Sequence, residues 1–103
     1  MEHMKVECNV PEEYVAPIIN ALNNEKLIQS GDYDFCFAYA AVKGHFRPIG
    51  DADPFIGEVG EMTQVAEVKL EFRIPATSRE LAERLITENH PYEVPIINFI
   101  GLL

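Results

Sequence analysis

The stretch from Glu67 to Ile74 constrains the fold more than any other part of the chain. Val68, Leu70, Phe72 and Ile74 alternate without a break with Glu67, Lys69, Glu71 and Arg73. A period of two puts the apolar four on one face of a strand and the charges on the other. The apolar face must be covered. The charged face, alternating in sign, suits water or the matching surface of a partner subunit.

The remaining segments supply the cover and the neighbouring strands. Met4, Val6, Cys8 and Val10 alternate with His3, Lys5, Glu7 and Asn9, which predicts a first half-buried strand. Pro11 suits a first helical turn, Glu12 and Glu13 favour its positive end, and Val15, Ile18, Ile19 and Leu22 recur at helical spacing. That helix is expected to stop near Asn24, before a turn at Ser30 and Gly31. Tyr33, Phe35, Phe37, Tyr39 and Ala41 then predict an aromatic strand, which Lys43 to Pro48 extends or pairs with. After the charged strand, Thr77 followed by Glu80 reads as a capping box, and Leu81, Ala82, Leu85 and Ile86 form the stripe of a second helix. Asn89 and His90 lie at its end, and Pro91 cannot continue it. Val94 to Leu103 makes a last strand that Pro95 confines to a start or an edge.

The resulting order is βαββαβ, an α+β chain. Two helices on one face of an antiparallel sheet is the ferredoxin-like solution to that order. The expected core comprises Met4, Val6, Ile18, Ile19, Leu22, Val68, Leu70, Phe72, Leu81, Leu85 and Ile86. At 103 residues, one core forms and a second does not fit, so residues 1 to 103 are read as a single domain.

Charge narrows the partners. Eight Lys and Arg against 17 Asp and Glu leave minus nine, which repels phosphate backbones and anionic lipid and speaks against nucleic acid. No apolar run approaches the ~18 residues of a membrane span, and Met1 to Val10 lack a signal peptide's regions, so the expectation is a cytoplasmic protein without a membrane partner. Cys8 and Cys36 form no CxxC and are read as reduced, packed thiols.

No catalytic constellation is visible. Ser30 and Ser78 have no histidine-bearing motif beside them, and Gly57 and Gly60 precede a strand instead of opening a helix, so no nucleophile or phosphate loop is indicated. Gly44-His45-Phe46-Arg47 resembles the phosphate cradle of acylphosphatases but follows the second strand, whereas that cradle follows the first. Residues 49 to 62, with Gly50, Pro54, Gly57, Gly60, Asp51 and Asp53, form a loop longer than a simple connection needs. Arg47 at its start and His90, Tyr92 and Glu93 beyond the second helix are the candidate ligand-binding residues, with Phe55 as an apolar wall. Arginine in so acidic a chain suits a small anionic ligand. The plainer alternative has Arg47 pinning the loop through its carbonyls or Asp51 and Asp53, with Phe55 and Tyr92 as core plugs. Glu93 is expected to orient Arg47 or His90. His3, His45 and His90 are scattered, so a metal site would have to be assembled in space.

Gly31-Asp32-Tyr33-Asp34-Phe35-Cys36, Gly44-His45-Phe46-Arg47-Pro48, Pro54-Phe55-Ile56-Gly57 with Gly60, Val65 to Glu71, and His90-Pro91-Tyr92-Glu93 stand in an order that resembles the insert domain of YqfO-type proteins, in the family named for the Ngg-one-interacting factor three. The resemblance covers nearly the whole chain. That insert is itself similar to the nitrogen regulatory PII proteins and the divalent-cation-tolerance protein CutA, both ferredoxin-like trimers. The resemblance therefore implies a stand-alone homotrimeric module, non-enzymatic and without a cofactor, that binds a small ligand or a partner protein. The flanking domains that hold metal ions in full-length relatives have no counterpart in these motifs. Two departures stand out: Asp51-Ala52-Asp53 replaces the family's Gly-Ala-Asn, and Val94 follows Tyr92-Glu93, as in CutA. Kinship with CutA implies the alternative, a copper- or zinc-binding protein with His45, His90 and Cys36 as ligands.

Overall fold

The computed structural model describes residues 1–103. Four strands, β1 (His3–Val10), β2 (Phe37–Phe46), β3 (Thr63–Pro75) and β4 (Ile97–Leu102), form one antiparallel sheet in the order β2-β3-β1-β4. Helices α1 (Val15–Asn24) and α2 (Arg79–Asn89) bury their stripes in one core with Val6, Cys8, Val10, Val68, Leu70, Phe72 and Ile74. This is the ferredoxin-like βαββαβ arrangement, both helices on one face. The register pairs Val6 with Phe72 and Cys8 with Leu70, and on the other side His3 with Leu102. No helix is long and apolar enough to cross a membrane.

Both helices begin alike, with a proline whose fixed φ leads into a 3₁₀ turn: Pro11 before Glu12–Tyr14 and Pro75 before Ala76–Ser78. The expected capping box is absent. Thr77 sits inside the second 3₁₀ turn, which supplies the entry geometry, and neither Thr77 nor Ser78 caps α2 through its side chain. The end of α1 falls where expected and closes with a Schellman pair, Leu27 N to Leu22 O at 3.1 Å and Lys26 N to Asn23 O at 2.9 Å, with Lys26 left-handed at φ 59°. That reversal tucks Leu27 and Ile28 into the core, where the periodicity had not placed them.

Other expectations need correction. The second strand starts at Phe37, because Phe35 is left-handed at φ 50° and gives its N–H to Asn23 Oδ1 at 2.8 Å, while Ser30 and Tyr33 pair across a tight turn. Phe37 and Tyr39 stack on each other at 6.5 Å and remain exposed, since β2 is an edge strand that the helices do not cover. The last strand begins at Ile97, two residues after Pro95. Met4, Leu81 and Leu85 are half-buried against the core instead of inside it, and Val10, Ile74 and Ala82 are fully enclosed. Part of the charged row is paired within the chain, while Arg73 is exposed and forms no ion pair. Lys5 bridges Glu7 at 3.2 Å and Glu71 at 3.3 Å, and Lys69 lies 4.0 Å from Glu7.

β3 outruns β1. Its pairing with β1 begins at Val68, so Thr63 to Glu67 pair only with β2 and the hairpin overhangs the sheet. The molecule measures 47 × 23 × 22 Å. The long loop after Phe46 folds back on this overhang, held by Gly60 N to Pro48 O at 2.8 Å. Gly57, at φ 93°, lies so close to Thr63 that a Cβ would meet its hydroxyl at 2.5 Å.

Candidate functional site

Where the loop returns over the overhang it leaves a cleft of about 440 Å³, within the range of small-ligand sites. The floor is the charged face of the sheet, with Glu7, Asn9, Lys69 and Glu67. Phe46, Arg47 and Pro48 form one wall, Phe55 and its neighbours a second, and Tyr92 to Val94 with Ile96 a third.

Tyr92 organises the inner end. Its ring lies 6.2 Å from Phe46, 6.4 Å from Phe55 and 4.8 Å from His90, and Phe55 in turn meets Tyr14 edge-on at 6.0 Å. Its hydroxyl donates to Glu67 Oε2 at 2.5 Å. Burial and this bond to Glu67 hold the phenol well above its usual range. Glu67 is 8% exposed although its parity is the charged one, because Tyr92 and the loop cover this end of the open face. Its second oxygen sits over Gly44, where a Cβ would come within 1.6 Å of Oε1. Only glycine leaves that space.

His90 fixes Tyr92 from behind. Nε2 donates to the Asn9 carbonyl at 2.9 Å, and Nδ1 accepts the Tyr92 backbone N–H at 3.2 Å. The neutral Nε2–H tautomer alone serves both bonds. Burial lowers the imidazole pKa, opposed by the bond to Asn9 and the charge on Glu67. Burial, reinforced by Glu67, pushes the Cys8 thiol up to about 12, which leaves it inert.

Of the residues singled out in the sequence, Arg47, Phe55, Tyr92 and Glu93 line this one cleft, whereas His90 is a buried tie behind it. Arg47 is exposed at the mouth and forms no ion pair, so the loop-pinning role through Asp51 or Asp53 has no bond to carry it. Glu93 orients neither Arg47 nor His90; its Oε1 accepts the Asp53 backbone N–H at 3.2 Å and ties the two walls together. Phe55 and Tyr92 are cleft walls, not core plugs. The alternative metal ligands do not converge. His45 bonds Gln64 at 3.2 Å, His90 has both nitrogens engaged, and Cys36 precedes the opposite end of β2 with its thiol turned to the Tyr33 carbonyl at 3.5 Å. No three His, Cys, Asp or Glu side chains are grouped to hold an ion, so the residues present do not fit the copper or zinc site.

Glu67 and Gly44 were missed as site residues. Strict alternation assigns Glu67 to the solvent face, and the contrary signal was faint: a strand longer than its neighbour, opposite a glycine that interrupts the aromatic hairpin.

No family model matches the chain. A protein of Staphylococcus epidermidis named GTP cyclohydrolase 1 type 2 homolog is 40% identical over 100 residues, 97% of this chain and 27% of that protein. A Staphylococcus aureus protein of the same name matches equally. The chain thus spans 27% of the length of these curated relatives. A solved Bacillus cereus protein related to NIF3 superposes with a TM-score of 0.81 at 27% identity, covering 98% of this chain and 26% of that one. CutA1 of Shewanella sp. SIB1 gives 0.74 at 21% identity, covering 99% and 82%. The PII-like protein CutA of Nostoc gives 0.70 at 23%, covering 96% and 80%. The chain is NIF3-like in sequence and PII/CutA-like in fold, in agreement with the resemblance carried by its motifs.

Proposed function

We propose that this chain is a non-enzymatic, trimeric binding module whose cleft takes a small anionic ligand. The observation that carries the proposal is Arg47: a guanidinium without an ion pair, in a chain of net charge minus nine, at the mouth of a cleft with aromatic walls. A guanidinium holds a carboxylate or phosphate through two parallel hydrogen bonds, and Phe55 and Tyr92 offer apolar cover for the rest of a ligand. Hydrolysis is what the relatives' name suggests for proteins nearly four times as long, and in this chain no three His, Cys, Asp or Glu side chains are grouped to hold a metal ion for it.

The test is a thermal-shift screen of small carboxylates and phosphates, followed by Arg47→Ala. A ligand at ~100 times its dissociation constant stabilises by about 2.7 kcal/mol, which a melt resolves. Arg47→Ala is expected to abolish binding of each hit and leave the melting temperature of the free protein unchanged. If it lowers the melting temperature, loosens residues 50 to 62 in hydrogen exchange and leaves binding intact, Arg47 is a structural residue and the proposal fails.

A further inference from the structure

Glu67 is the one buried carboxylate in the chain, and its hydrogen bonding is incomplete. Tyr92 supplies a single donor to Oε2, and no group of the protein donates to Oε1. No side-chain oxygen of the molecule is both sealed and unpaired, so Oε1 opens onto the cleft that Glu67 lines. Oε1 rests against Gly44, in the space that a Cβ there would fill. The neighbouring cation on the floor, Lys69, lies against Glu7 instead, at 4.0 Å. An ionised carboxylate taken out of water needs more than one donor, and one aimed into a cleft finds the second on whatever enters.

We infer that Oε1 of Glu67 receives a primary ammonium group. The cleft then recognises a small aminocarboxylate, its ammonium on Glu67 at the floor, its carboxylate on Arg47 at the mouth and its middle against Phe55 and Tyr92. This rests on anion binding at Arg47 and adds the opposite end of the ligand. The polarity follows from burial. The acid is the desolvated group and demands compensation, and the cation is the exposed group that captures the ligand's anionic end from solvent.

Matched pairs test it: γ-aminobutyrate against butyrate, and para-aminomethylbenzoate against para-methylbenzoate, titrated into the full chain and followed by amide NMR. Within at least one pair the amine-bearing acid is expected to bind about tenfold tighter or more, the scale of a charge-assisted bond to a buried partner. Glu67→Gln, which still accepts from Tyr92 and fits over Gly44, should erase that ratio and leave the amine-free acids unchanged. Should this variant not fold, the wild-type ratio decides together with Tyr92→Phe, which frees Oε2 and should hold or raise it. If amine-free acids shift cleft amides through Arg47 but the amines add nothing, the role of Glu67 is overturned and anion binding stands. If no acid shifts any cleft amide, both fall. Dissociation of an oligomer by Glu67→Gln, with the ratio unmoved, would assign the carboxylate to a subunit contact and overturn the inference.

Discussion

His90 carries the sharpest single-residue consequence. Burial holds its pKa below the ordinary 6.5, and protonating Nδ1 would also remove the acceptor for the Tyr92 N–H. Above 6.5 both folded and unfolded chains are neutral at this site, and its contribution is complete. As the pH falls below 6.5 the unfolded chain takes up the proton first, and stability drains until the folded pKa is passed. Urea melts between pH 7.5 and 5.5 should therefore show a steeper loss for the wild type than for His90→Gln; equal slopes would disprove the shift. Gly44 makes a second prediction. Gly44→Ala forces a methyl into the space of Glu67 Oε1 and should cost about 1 to 3 kcal/mol, as overpacking does elsewhere. A variant as stable as the wild type in denaturant would mean that the carboxylate swings away freely.

Regular elements followed from periodicity and their junctions did not. The alternation in β1 and β3 and the stripes of α1 and α2 placed those four elements in order, because burial on one face imposes that period whatever the neighbours do. Helix starts were decided by proline and a 3₁₀ turn, a local geometry that competes with side-chain capping and that a Thr-x-x-Glu pattern does not reveal. Thr77→Ala should accordingly change stability by less than ~0.5 kcal/mol, whereas a true cap would cost about 1 kcal/mol. A loss of the larger size in thermal melts would restore the capping box. The aromatic row failed in another way. β-propensity reports that Phe37 and Tyr39 suit a strand, but not whether the strand lies at the centre or the edge of its sheet. The cleft was half legible. Arg47, Phe55, Tyr92 and Glu93 stand out as unusual residues in turns and loops, whereas Glu67 is buried only because distant segments close over it.

At the scale of the whole molecule, the hairpin of β2 and β3 projects beyond β1 with unpaired backbone along both sides, and Phe37 and Tyr39 lie exposed at its base. Such an edge is a hazard for a lone monomer and a ready contact for copies of itself. Light scattering at micromolar concentration should give three times the monomer mass of 11.6 kDa, and a single monomer mass would remove the trimer. The pairing of His3 with Leu102 has a further consequence. Cross-strand neighbours stand about 5 Å apart, so the two termini emerge side by side from the same corner. A unit shaped this way can be spliced into a surface loop of a host protein without stretching either connection, and its termini can be joined and reopened elsewhere by circular permutation. Because β4 pairs only with β1, the sheet stays incomplete until residues 97–102 have been made.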